Sequence, residues 1–329
     1  MRSFPYFMNT ICAVQFIWLG ALRAENPSLI LEQKVPLQGV EGKLDHLAVD
    51  AKGKRLFVAN KVNNTLDIID LQANKLIKQI PDQIKVSGVD YSADLNMLFV
   101  GNGDGHCNAF ECKDFKKVFS VKAAGADNLH YQASTRLVYV ANDESLTVLD
   151  AQTGETKGLV KLPGHSQGFA LDEKNARIYI VIQKPQLIGL IDLKKYEVVE
   201  KFPVTLSDIP SPIAFSASDE RLFIGCRQKP CILVMDSRTG KELTTVAIPG
   251  GVDDVHYDPK TKRIFASCGE KSLIAIEKKG EKYEMISSCT TPALAKTCAY
   301  SPELNKIYLA VPKQKDTTGP EVRIYSIKP

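Results

Sequence analysis

The sequence predicts an all-β protein in which one four-stranded sheet repeats seven times around a closed ring. Three observations carry this. The first is a recurring motif: Leu56-Phe57-Val58-Ala59-Asn60, Leu98-Phe99-Val100-Gly101-Asn102, Val138-Tyr139-Val140-Ala141-Asn142, Ile178-Tyr179-Ile180, Leu222-Phe223-Ile224-Gly225, Ile264-Phe265-Ala266-Ser267 and Ile307-Tyr308-Leu309-Ala310. Its aromatics, Phe57, Phe99, Tyr139, Tyr179, Phe223, Phe265 and Tyr308, are 42, 40, 40, 44, 42 and 43 residues apart. A period in the low forties, filled with strand formers, is that of a β-propeller blade. The second observation is that the spaces between motifs hold strand patterns and turn residues and no helical period. The third is a pair of loose ends. A lone strand, Ser28 to Leu37, stands at the start, and the last repeat runs out of chain at Pro329 with three strands at most. The lone strand therefore completes the last blade and closes the ring, which removes an open sheet edge.

Taken in order, the chain begins with a targeting segment. Arg2 precedes an apolar run from Ile11 to Leu22, and Ala24 stands before polar Glu25-Asn26-Pro27. The run suits a secretory signal and is short for a membrane span of ~20 residues. Cleavage after Ala24 is expected, with an uncleaved anchor as the alternative. Residues 1–24 are thus read as signal peptide and residues 25–329 as a single seven-bladed domain. The expected location is secreted or periplasmic, with no stable membrane insertion after cleavage.

Each repeat then follows one grammar. A first strand begins at Leu47-Ala48-Val49, Val89-Asp90-Tyr91, Leu129-His130-Tyr131, Phe169-Ala170-Leu171, Ile213-Ala214-Phe215, Val255-His256-Tyr257 and Cys298-Ala299-Tyr300. A polar turn follows, such as Asp258-Pro259-Lys260-Thr261-Lys262, and then the aromatic strand. The third strand closes on an acid in Asp70, Asp150, Asp192 and Asp236. A ring of acids could suggest catalysis, but a short acid after a strand ordinarily caps the next turn. A more polar fourth strand completes the blade, as in Lys75 to Ile80.

With 44% hydrophobic and 24% charged residues and a formal net charge of +4, the chain has ordinary globular composition. No basic run exceeds pairs such as Lys116-Lys117, so nucleic acid is not expected as a partner. Seven cysteines follow the signal: Cys107, Cys112, Cys226, Cys231, Cys268, Cys289 and Cys298. An odd count leaves at least one free thiol or an intermolecular bond. Cys226 and Cys231 flank a hairpin, where a disulfide and two thiols are equally compatible with the sequence. Cys298 falls in a core column and is expected as a buried thiol.

In a propeller the first strands line the central channel, and the residues ahead of them rim one mouth. The successive rim pairs are Asp45-His46, Ser87-Gly88, Asp127-Asn128, Gln167-Gly168, Ser211-Pro212, Asp253-Asp254 and Lys296-Thr297. Carboxylates and potential ligands concentrate in blades one, three and six. His130 and His256 share one strand column and are expected as satisfied core histidines at blade interfaces. His165 enters the fourth blade on the mouth face.

The motif Tyr139-Val140-Ala141-Asn142 and its counterparts resemble the signature of the YVTN-repeat, or YncE-like, seven-bladed β-propellers, over the whole mature chain. A subgroup is more similar still: its acid and amide pairs are met by Asp45-His46, Asp127-Asn128 and Asp253-Asp254. Its Gly-His-Pro-Glu-x-Phe segment is met in part by Gly164-His165-Ser166-Gln167-Gly168-Phe169, which departs at Ser166-Gln167, where the subgroup carries a carboxylate. The resemblance implies an exported propeller and little chemistry.

Two functional readings follow. One is a non-catalytic scaffold that binds an unknown small molecule or protein at the channel mouth through Asp45, His46, Asp127, Asn128, His165, Asp253 and Asp254. The other is a metal-dependent, lactonase-like hydrolase. In it Asp45, His46, Asn128 and Asp254 hold a divalent cation, Ca²⁺ or Mg²⁺, as carboxylate and amide oxygens suit hard ions. A monomer is expected. No nucleophile and base stand at a spacing that the sequence alone certifies.

Overall fold

The computed structural model describes residues 1, 29–38, 42–123, 126–314 and 319–328. The expected signal segment and its cleavage point at Ala24 lie outside the described residues, Met1 excepted. The described residues form seven four-stranded antiparallel sheets, the blades of a propeller. Blade one comprises Leu44–Asp50, Arg55–Asn60, Thr65–Asp70 and Lys75–Ile80, in that spatial order. The innermost strands of the next six are Val89–Ser92, Asn128–Gln132, His165–Asp172, Asp208–Ser216, Val252–Asp258 and Thr297–Ser301. The helix among the described residues is one 3-10 turn, Glu173–Asn175. No helix there is long and apolar enough to cross a membrane.

The ring closes as the loose ends require. Leu29–Pro36 pairs antiparallel with Glu321–Ile327, placing Val35 opposite Val322 and completing the seventh blade. Seven apolar clusters form the core, each shared by two neighbouring blades. One of them joins the chain's two ends, packing Val35, Val322 and Ile324 against Leu47, Leu56 and Val58. The motif aromatics sit in these clusters, at 1% exposure or less. Each contributes on the order of 2–3 kcal/mol through burial. This is why the aromatic recurs with the blade: every interface needs one large buried ring.

A second periodic feature lies three residues before each aromatic. Lys54, Asn96, Arg136, Ala176, Glu220, Lys262 and Asn305 all adopt left-handed backbone, with φ between 50° and 57°. This conformation turns the first strand into the second. In six of the seven blades its carbonyl accepts an N–H at the end of the third strand, as Leu71 N to Lys54 O at 2.8 Å and Leu193 N to Ala176 O at 3.0 Å.

The acids that close the third strands are turn caps. Asp70 Oδ1 accepts from Gln72 N at 2.8 Å and Ala73 N at 2.9 Å, and Asp150, Asp192 and Asp236 repeat the pattern. They lie away from the channel and hold the outer hairpins.

Candidate functional site: the channel mouth

The rim pairs do not precede their strands in every blade. Asp45-His46 and Asp253-Asp254 lie inside the innermost strands, at register shifts between Leu44 and Leu47 and between Val252 and Asp254. A bulge re-aims side chains out of the strand's strict alternation. Here it lets successive residues both face the channel. The two pairs, with Asp127 and Asn128, line one central cavity of about 510 Å³.

The carboxylates there are already partnered. Asp45 is 5% exposed. Its Oδ2 accepts from Lys61 Nζ at 2.8 Å and from Ser87 Oγ at 2.9 Å, with Lys43 Nζ 3.9 Å away. Ser87 Oγ also reaches Asp127 Oδ1, and Lys61 Nζ stands 4.0 Å from it. Asp253 is paired with Arg227 and with Lys296 Nζ, the latter at 2.6 Å. Asp254 Oδ1 faces His46 Nδ1 at 3.3 Å, and Oδ2 accepts the Cys298 N–H at 2.8 Å.

These pairings set the protonation states. Burial opposes charge on His46, but the Asp254 carboxylate outweighs it and raises the imidazole to about 9. Burial would raise the Asp45 carboxyl, yet the His46 and Lys61 charges hold it below the ordinary carboxylate range. Lys296 is lowered by burial and by the nearby Arg227, and Lys43 chiefly by burial. The mouth is a network of Lys43, Lys61, Arg227, Lys296 and a protonated His46 against Asp45, Asp127, Asp253 and Asp254.

Asp45, His46, Asn128 and Asp254, the residues expected to hold a cation, all line the central cavity. Asp45 Oδ2 is held by an ammonium and a hydroxyl, and His46 Nδ1 faces Asp254. Among the described residues, one group has its ligand atoms all within 4.8 Å of one another: Asp254, His256 and Cys298. His165 is on the same face but outside the central cavity. It lines a side cavity of about 200 Å³, with Nδ1 2.7 Å from Asp143 Oδ1 and Nε2 2.7 Å from the Gln167 amide nitrogen.

One expectation is corrected. His130 and His256 line the channel instead of filling blade interfaces as core. His130 is exposed, stands 3.6 Å from Asp90 Oδ2 and meets the Phe169 ring edge-on at 4.9 Å. His256 places Nε2 3.0 Å from the Cys298 carbonyl oxygen. An innermost strand has a free edge, so its polar side chains can turn into the channel. The Cys226–Cys231 disulfide is not formed. Both are buried free thiols and direct partners across their hairpin. Cys298 is a buried thiol, as its core column predicts.

The cations Lys61 and Arg227 are absent from the sequence-derived site. A signal for them exists. They occupy the position four residues after the motif aromatics Phe57 and Phe223, where blade three carries Asp143. The second strand ends there, at the channel mouth, so this column faces the same opening as the rim pairs.

No family model and no curated protein matches the chain. A solved chain of the hydrazine synthase of Kuenenia stuttgartiensis is similar in structure, with a TM-score of 0.73 at 12% identity, covering 83% of this chain and 94% of that one. Similar solved chains number 1746, too many for the likeness to single out a function. At this identity it shows the propeller fold and nothing finer.

Proposed function

We propose that the chain is an exported, non-catalytic binding scaffold whose channel mouth takes a small charged or zwitterionic molecule. One observation carries this reading: a cavity of about 510 Å³ whose mouth presents both signs of charge. Its volume falls in the range of ligand sites, ~300–1,000 Å³. Ligand sites are ordinarily apolar with a few polar groups, whereas this one is dense in fixed charge, which selects for an ionic ligand.

A ligand carboxylate or phosphate would displace an internal carboxylate from Lys61, Lys296 or Arg227. A ligand ammonium would take Asp127 or Asp253. Arg227 supplies the planar fork that favours bidentate oxyanions. The hydrolase alternative is weaker, because the two acids it needs as ligands are already paired, Asp45 with Lys61 and Asp254 with His46. A YncE-like kinship fits the repeat motif and supports the export reading.

The test is a thermal-shift panel on the full chain with free amino acids, small dicarboxylates, inorganic phosphate and Ca²⁺, with and without chelator. A rise of several degrees with one charged small-molecule class, insensitive to chelator and absent in Arg227→Ala, is the expected result. Stabilisation by Ca²⁺ alone, reversed by chelator, would favour the hydrolase reading instead.

A further inference from the structure

The geometry points to a thiolate-containing transition-metal site, zinc by preference, formed by Asp254, His256 and Cys298 where blades six and seven meet the channel. It does not rest on the ligand-binding reading above.

Three chemically different donors come together there: a carboxylate oxygen, an imidazole nitrogen and a cysteine sulfur, all within 4.8 Å of one another. Asp254 and His256 are two residues apart on Val252–Asp258, hence on one face of that strand. Cys298 is on Thr297–Ser301, the neighbouring innermost strand. All three line the central cavity, so an ion could enter and a fourth position could face solvent. Around tetrahedral zinc, neighbouring ligand atoms lie ~3.5 Å apart, so closure needs shifts of about 1 Å. That is within side-chain adjustment.

His46 Nδ1, 3.3 Å from Asp254 Oδ1, is the group that a bound ion would displace from the carboxylate. His256 Nε2 is 3.0 Å from the Cys298 carbonyl, which takes one ring N–H and leaves the other nitrogen with its lone pair. Asp254 Oδ2 accepts the Cys298 N–H at 2.8 Å. Such second contacts to backbone are what orient metal-ligating imidazoles and carboxylates. Thiolate and carboxylate together would balance the charge of a divalent ion.

The other blades provide an internal comparison. The position of Cys298 is filled by Leu47, Val89, Leu129, Phe169, Ile213 and Val255 in the remaining six. His130 is the counterpart of His256, and it faces the Phe169 ring, not a sulfur. Blade geometry therefore needs no sulfur at this position, and the three donors coincide at one interface among seven.

A cysteine nucleophile is the competing assignment for the same residues. It is disfavoured because burial and the adjacent Asp254 push the Cys298 thiol up, away from a reactive thiolate. A metal ion reverses that: the sulfur binds as thiolate and one proton is released to solvent per ion bound.

The test is titration of the reduced, metal-stripped full chain with Co²⁺, followed by absorbance. We expect one Co²⁺ per chain, d–d bands of tetrahedral type, a near-ultraviolet thiolate-to-cobalt band, and displacement of all of these by Zn²⁺. Cys298→Ser should abolish the thiolate band and weaken binding by about a hundredfold or more. His256→Ala keeps the sulfur and should weaken binding by at least about tenfold, which covers the case in which Cys298→Ser does not fold. The double variant Cys226→Ser/Cys231→Ser should bind as wild type does. No thiolate band at saturating Co²⁺ would overturn the assignment. So would a band that survives Cys298→Ser, or one lost in the Cys226/Cys231 variant.

Discussion

Asp45 is the most enclosed carboxylate of the channel mouth, at 5% exposure. Asp45→Ala leaves the Lys61 ammonium and the Ser87 hydroxyl without their shared acceptor. Asp127 remains within reach of both, so a loss of roughly 1–2 kcal/mol is expected in urea unfolding. His46 sets the pH response. Its folded value, about 9, lies above the ordinary 6.5 because Asp254, Asp45 and Asp127 face it. A raised folded pKa gives stability that is fully present below about pH 6.5 and is lost as pH rises through about 9. Unfolding free energy should therefore fall between these values, on the order of 3 kcal/mol from this group. His46→Gln should flatten that slope. A slope unchanged in the variant would assign the effect to other groups.

At the scale of the strand and turn, the left-handed residue before each aromatic is the most repetitive feature after the aromatic itself. Non-glycine residues there carry about 1 kcal/mol of backbone strain. Ala176→Gly removes that strain where φ is 52°, and a stability gain of up to about 1 kcal/mol is expected by calorimetry. Gly101 behaves in the opposite sense. A Cβ there would lie 2.2 Å from the Ala126 carbonyl oxygen, so Gly101→Ala should destabilise by more than about 1 kcal/mol. Strand order and register were legible in the sequence because the aromatic column fixes where each second strand sits. The site was legible only in part. The rim acids stand in that register, so Asp45, Asp127, Asp253 and Asp254 could be named in advance. Lys61 and Arg227 stand where a hairpin turn begins. Charge at such a position ordinarily faces solvent, and only the blade's packing angle turns those two inward. The same limit applies to His130 and His256, which a strand pattern alone places in the core.

At the scale of the molecule, the ring is closed by one strand, and this has two consequences. Removing Leu29–Pro36 would expose the edge of Glu321–Ile327 and uncover Val322, Ile324 and Tyr325, all buried in the intact ring. A chain beginning after Pro36 should lose cooperative unfolding and associate in size-exclusion chromatography, because an unpaired edge templates aggregation. Closure also builds the mouth. His46 of blade one and Asp254 of blade six are 208 residues apart in the chain, yet their side chains are 3.3 Å apart across the channel. No open array of blades would bring them together. The His46 titration therefore reports this pairing directly. In an NMR pH titration of the metal-free full chain, with the ring resonances assigned by His46→Gln, the predicted midpoint is about 9. A midpoint near the ordinary 6.5 would contradict the His46–Asp254 pairing on which the ionic mouth rests.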